Sequence, residues 1–276
     1  MSAELDPADF VEAVFPAVRE AAAVARRLEG RVENDPKAGE STEVKQALTV
    51  ADTEVQEIIL EVLLDSFPSL GLAAEEDTPL VAQFRENRAQ WVVIDPVDGT
   101  LLSYLRGEGP YAVLVGLVVD GRYRAALVAL PREGLIFDAC ENGGARVSRP
   151  GGSRRQARVS RTGNRILLAH GTPASVDRFL QERGFETVSS CGGAVAVAPL
   201  ITGVRAGLRW VPEGNGVSIR GRVGVLVSQE AGAKVYGAGG AAFPSDPDSP
   251  ARALLVCSEE SDRDLLEAAL ATATPG

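Results

Sequence analysis

Lysine is nearly missing from this 276-residue chain: Lys37, Lys45 and Lys234 are the only three, and arginine carries the remaining positive charge. That scarcity fits genome composition or a salty habitat better than mechanism. Basic charge is short overall, with 28 Lys and Arg against 38 Asp and Glu, a net charge of −10. Such a balance argues against nucleic-acid backbone binding as the main task, since that needs a basic face. It leaves room for a small anionic substrate, because bound metal ions invert the local field. Cysteine is also sparse. Cys140, Cys191 and Cys257 are an odd, widely spaced set, which reads as buried thiols and not as a disulfide framework or zinc site. No apolar run approaches membrane-spanning length, and the N-terminus shows no basic region followed by an apolar one. The expectation is a cytoplasmic protein with no membrane and no nucleic-acid partner.

What is present is an ordinary globular composition, 45% hydrophobic with mean hydropathy near zero. The length suits one large domain or two intimate ones. Asp6-Pro7 opens a helical pattern running to about Arg27, which Pro16 is expected to kink or interrupt and Gly30 to stop. Residues 34–46 are polar and irregular, the pattern of a mobile loop. Thr49-Val-Ala-Asp52 reads as a capping box leading a helix to about Leu64. Short strands are expected at Leu70–Ala74 and Trp91–Ile94. Tyr111–Val119 and Tyr123–Leu130 form a hairpin on Asp120-Gly121, and Leu135–Ala139 adds a third strand. The segment Pro150–Arg155 is the natural boundary between halves 1–150 and 151–276. Beyond it strands and helices alternate, with helices expected at Ala194–Ile201 and Ser218–Glu230. The fold class is α+β passing into α/β: a helix-flanked antiparallel sheet, then an alternating half.

Chemistry concentrates in Trp91-Val-Val-Ile-Asp95-Pro-Val-Asp98-Gly-Thr100, where an apolar strand stops at two carboxylates three residues apart. Pro96 and Gly99 force a tight turn, so Asp95, Asp98 and the Thr100 hydroxyl can converge. Oxygen donors at a strand end suit a hard divalent cation, although Asp, Pro and Gly also build plain surface turns. Glu75 ends another short strand. Thr49 and Asp52 open a helix, where capping alone would explain both and a place in the same site stays open. Gly192-Gly193 precedes a helix whose free N–H groups can hold phosphate, a weak signal by itself.

Taken together these residues resemble the inositol monophosphatase superfamily of metal-dependent phosphomonoesterases. Its Asp-Pro-hydrophobic-Asp-Gly-Thr signature stands intact at Asp95–Thr100. Supporting motifs fall in order at Ala74-Glu75-Glu76, Thr49–Asp52 and Glu230–Ala233. The resemblance implies a layered αβαβα sandwich, a homodimer, and hydrolysis of a small phosphate monoester with Mg²⁺. It implies that Glu75, Asp95 and the Val97 carbonyl hold one Mg²⁺, and that Asp95 and Asp98 contribute to a second. Thr100, assisted by Asp52, would orient and deprotonate the attacking water. The backbone from Asp98 through Gly99 to Thr100, the amides near Gly192 and Gly193, and Glu213 would face the substrate.

One departure matters. The family's Trp-Asp motif falls ten residues before Glu230, where this chain has Ile219-Arg220, and no aspartate lies between Asp177 and Asp246. A guanidinium cannot bind a cation; Arg220 could pair with Asp98 or reach the phosphate. The family's loop lysine has no clear match within residues 40–46. Two functions therefore stay open: an active phosphatase with an altered second metal site, and a binding or regulatory module that lost catalysis. An unrelated α/β protein is the third possibility. Glu213 leans towards an inositol phosphate, while His170, the sole histidine, leans towards 3'-phosphoadenosine 5'-phosphate.

Overall fold

The computed structural model describes residues 5–37 and 42–273. Helix α1 (Pro7–Leu28) begins at Asp6, whose carboxylate accepts from the Ala8 amide at 2.8 Å. Pro16 does not interrupt it. Pro16 and Glu12 both face solvent, so the carbonyl that loses its partner can be hydrated, while buried Phe10, Val14 and Val18 hold the helix on the sheet. A short helix α2 (Glu43–Gln46) follows within the polar loop. Its arms are tied by backbone bonds from Asp35 to Leu48 and from Lys37 to Gln46, both 2.8 Å. Part of the segment expected to be a mobile loop, residues 38–41, lies outside the described residues.

Helix α3 (Val50–Ser66) starts with the anticipated capping box of Thr49 and Asp52. The first sheet then takes seven strands in sequence order: β1 (Gly71–Ala73), β2 (Gln90–Asp98), β3 (Ala112–Val119), β4 (Arg122–Leu130), β5 (Leu135–Cys140), β6 (Gly144–Ser148) and β7 (Arg155–Gln156). Only β1 and β2 pair in parallel, which places the C-terminal ends of both at one edge. Strands β6 and β7 carry the sheet to Gln156, and the next sheet opens at Arg165.

The second sheet has the order β11-β12-β10-β8-β9, built from β8 (Arg165–Ala169), β9 (Glu186–Ser190), β10 (Val204–Trp210), β11 (Lys234–Tyr236) and β12 (Ala253–Cys257). Helices α4 (Ala174–Gln181) and α7 (Glu260–Leu270) cover its outer face. Helices α5 (Gly192–Ala196) and α6 (Val223–Glu230) lie between the two sheets, and α1 with α3 covers the far side of the first. This gives the layered αβαβα sandwich. The helix expected from Ser218 begins later, as a tight 3₁₀ turn at Arg220–Arg222 before α6. No helix among the described residues is long and apolar enough to cross a membrane.

Candidate active site

The parallel β1–β2 pair brings two carboxylates to one edge: Glu75, two residues past β1, and Asp95 in β2. Residues 95 and 98 of a regular strand would point to opposite faces. Here the β2–β3 register slips between Asp95↔Leu114 and Asp98↔Ala112, and the extra residue turns Asp98 back towards Asp95. Gly99 follows with φ +92°, and a Cβ there would stand 2.7 Å from the Cys191 Cβ, so the turn requires glycine. Thr100–Leu105 then winds as a single π-helical turn, with Tyr104 N–H donating to Gly99 O at 3.0 Å.

Helix α3 anchors the other side. Gln56 is fully buried; its amide donates to Glu76 O at 2.8 Å and accepts from Glu76 N at 3.1 Å. That clasp fixes the backbone beside Glu75. One turn earlier, Asp52 is 1% exposed. Its Oδ2 accepts from the Thr49 amide and hydroxyl at 2.8 and 2.7 Å, and its Oδ1 lies 3.0 Å from Thr100 Oγ1. Thr100 Oγ1 is also 2.8 Å from Val97 O, so its one proton can go to either acceptor. Burial lifts the Asp52 carboxyl to about 6, with the Glu76 charge adding to the rise and bonds from Thr49 and Thr100 opposing it.

Asp95 is held well above the usual carboxylate range, first by burial and then by the charges of Glu75 and Asp98. Its Oδ1 is buried without a hydrogen-bond partner. Arg220 answers part of that charge: its Nε is 3.8 Å from Asp95 Oδ2 and 3.9 Å from Glu75 Oε2. Its partners are therefore Glu75 and Asp95, and the expected pairing with Asp98 is not made. The Asp98 Oδ2 instead accepts from the amide of Gly193 at the start of α5.

Several residues stand apart from expectation. Lys37, which precedes residues 40–46, reaches the buried Glu76 with Nζ at 2.6 Å from Oε1. Its sequence signal is thin: one of three lysines, in a polar loop. Glu213 lies exposed in the loop after β10, and no hydrogen bond or ion pair ties its side chain to the carboxylates among the described residues. Glu230 does structural work, accepting from the amides of Asn142 and Gly144 at 2.8 Å each. His170 bridges Ser103 and Ser189, 2.8 Å from each hydroxyl.

The residues 6–207 match the model of the inositol monophosphatase family. The chain belongs to that family. Among curated relatives, it is similar to a histidinol-phosphatase of Chlorobaculum parvum, 32% identical over 36% of each chain. It is also similar to the Nus factor SuhB of Xylella fastidiosa, 32% identical over 48% of this chain and 42% of that protein. The matches to these relatives span less than half of their length. In structure, the inositol monophosphatase family fold is shared nearly end to end. The Thermotoga maritima IMPase superposes with a TM-score of 0.75 over 96% of this chain and 98% of that one, at 18% identity.

The donor set fits a hard cation in part. Glu75, Asp95 and the Val97 carbonyl offer oxygen alone, and the orphaned Asp95 Oδ1 is a buried acceptor awaiting a partner. Among the described residues, however, no three Asp, Glu, His or Cys side chains surround a common point. Asp98 is engaged by the Gly193 amide, and Arg220 lies beside Glu75 and Asp95.

Proposed function

We propose that this inositol monophosphatase family member hydrolyses a small phosphate monoester with Mg²⁺, using one cation where Arg220 takes the place of a second. The observation that supports it most is the Glu75–Asp95 pair, joined through β2 to the Thr100–Asp52 hydrogen bond. Mg²⁺ held by Glu75, Asp95 and the Val97 carbonyl would neutralise phosphoryl charge and acidify the attacking water.

The chain's own residues do the rest. Thr100 accepts a proton from water at Oγ1 only by passing its own to an acceptor, and Asp52 Oδ1 at 3.0 Å is that acceptor. Its carboxyl is poised for the task, since burial lifts it to about 6 and not beyond neutrality. Thr49 keeps Asp52 in place through Oδ2, leaving Oδ1 free for Thr100. Arg220 adds a fixed positive charge near the reacting phosphoryl group. The test is phosphate release from inositol-1-phosphate, 3'-phosphoadenosine 5'-phosphate and fructose-1,6-bisphosphate. Release with Mg²⁺, abolished by chelation and by Asp95→Asn, is expected; silence across a broad panel counts against it.

A second function has a specific observation behind it. Arg220 already lies against the two carboxylates that would hold the ion, which suits a binding or regulatory module without turnover. Ligand binding without phosphate release, with activity gained in Arg220→Asp, would favour this alternative.

A further inference from the structure

Arg209 is a charged residue on the wrong face of a buried strand. In β10 side chains alternate: Ala206 and Leu208 pack outward beneath α4 and α7, while Gly207 faces α5, where a Cβ would lie 2.4 Å from Val195 O. Two residues on, Arg209 shares the inner face, between the sheets. There its guanidinium slips between two glycines. A Cβ on Gly192 would stand 2.0 Å from Arg209 Nη1, and one on Gly221 2.2 Å from the same atom. A Cβ at either position would have to push the guanidinium aside. Gly192 precedes Gly193, whose amide holds Asp98, and Gly221 follows Arg220, so Arg209 lies within the candidate site.

Among the described residues no protein group answers this charge: Arg209 makes no hydrogen bond and no ion pair. Arg222, which is more deeply buried, donates from Nε to Val217 O at 3.0 Å, from Nη1 to Asp246 O at 3.0 Å, and from Nη2 to Ser249 O. A partly buried guanidinium without an acceptor loses hydration and gains nothing until an anion arrives. Its five N–H donors suit a phosphate or carboxylate.

The geometry points to Arg209 as the receptor for a second anionic group on the substrate. This rests on the phosphatase reading for the direction of the ligand. With the reacting phosphoryl at Glu75, Asp95 and Thr100, the remainder faces Gly192, where Arg209 waits. The preferred ligand is thus a small phosphate ester bearing a further phosphate or carboxylate, and a neutral polyol is a poor match. Arg209, not Glu213, reads that part of the ligand.

The test is titration calorimetry of the metal-free chain, which separates binding from turnover, with fructose-1,6-bisphosphate and fructose-6-phosphate as probes. Wild type is expected to bind the bisphosphate at least about tenfold more tightly, as loss of a charge-assisted bond would cost. Arg209→Gln brings the two affinities within about threefold, Arg209→Lys restores most of the ratio, and exposed Arg27→Gln keeps it. Gly221→Ala, which displaces the guanidinium, mimics Arg209→Gln. Equal affinities in wild type, a ratio surviving Arg209→Gln, or an equal fall in Arg27→Gln would overturn the assignment. Phosphate release with Mg²⁺, measured in parallel, tests the phosphatase reading alone: silence there with the ratio intact overturns the reaction and leaves the two-anion ligand standing.

Discussion

Arg220 Nε stands 3.8 Å from Asp95 Oδ2, a guanidinium laid against the carboxylate that the sequence motif marks as the centre of the site. The same nitrogen is 3.9 Å from Glu75, so one fixed cation serves two acids that would otherwise repel each other. Neither distance is a hydrogen bond. Arg220 neutralises without gripping, an arrangement compatible with an ion entering on the other side of Asp95.

Replacing Arg220 with Ala removes that neutralisation. The metal-free protein is expected to lose about 1 kcal/mol, a modest figure because Arg220 and Glu75 are both partly exposed to water. Added Mg²⁺ should restore more stability to Arg220→Ala than to wild type. Thermal melts with and without Mg²⁺ check both; equal Mg²⁺ shifts in the two proteins would contradict the role given to Arg220.

Asp52→Asn is expected to stabilise the fold while removing turnover. The folded carboxyl is raised to about 6 from an ordinary 3.8, so the folded state holds its proton more tightly than the unfolded chain. The cost of ionising it is absent below the unfolded value, grows between 3.8 and about 6, and is full above that. The variant should therefore match wild type at the acid end and exceed it by roughly 1–3 kcal/mol near neutrality. Denaturant melts across that window, beside kcat at neutral pH, measure it. Lower stability at neutral pH would contradict the protonation argument.

Gln56→Ala should be costly at a distance from any substrate. It leaves the Glu76 carbonyl and amide without their buried partners and frees the backbone beside Glu75. The expected loss is about 2–3 kcal/mol of stability, accompanied by weaker Mg²⁺ binding in calorimetry. Stability loss without any change in Mg²⁺ affinity would show that the clasp does not position Glu75.

His170 should make the fold acid-sensitive. Ser103 gives its proton to Glu108 O at 3.0 Å, so it accepts from His170 Nε2–H, and Nδ1 accepts from Ser189. Burial holds the imidazole below its ordinary value of 6.5, while Glu108 and Asp98 oppose the shift. Folded stability from this group is therefore full above 6.5 and falls as pH drops towards the lowered folded value. His170→Gln should flatten that part of the stability–pH curve. An unchanged slope between pH 7 and 5 would contradict the neutral assignment.

Much of this was legible because local chemistry and tertiary structure agree. Pro96 and Gly99 announce the Asp95–Thr100 turn, and Thr49 with Asp52 announces the start of α3. What escaped depends on distant partners. Pro16 reads as a helix breaker until one sees that its face is solvated and the opposite face is packed. Lys37 has no local mark; Glu76, 39 residues away in the chain, gives it meaning. The helix expected from Ser218 opens instead with the 3₁₀ turn at Arg220–Arg222, and the helix proper waits until Val223. Arg209 itself sits in an unremarkable Leu-Arg-Trp triplet, and only the two flanking glycines across the fold reveal its place.

The most direct measurement is phosphate release by wild type and Arg220→Asp, side by side with Mg²⁺, on the three-substrate panel. Wild type should turn over at least one substrate with Arg220 in place, which establishes a working phosphatase without the family's second-motif aspartate. Silence in wild type with activity in Arg220→Asp would contradict that account, and would make Arg220 the residue that switched the site from hydrolysis to binding.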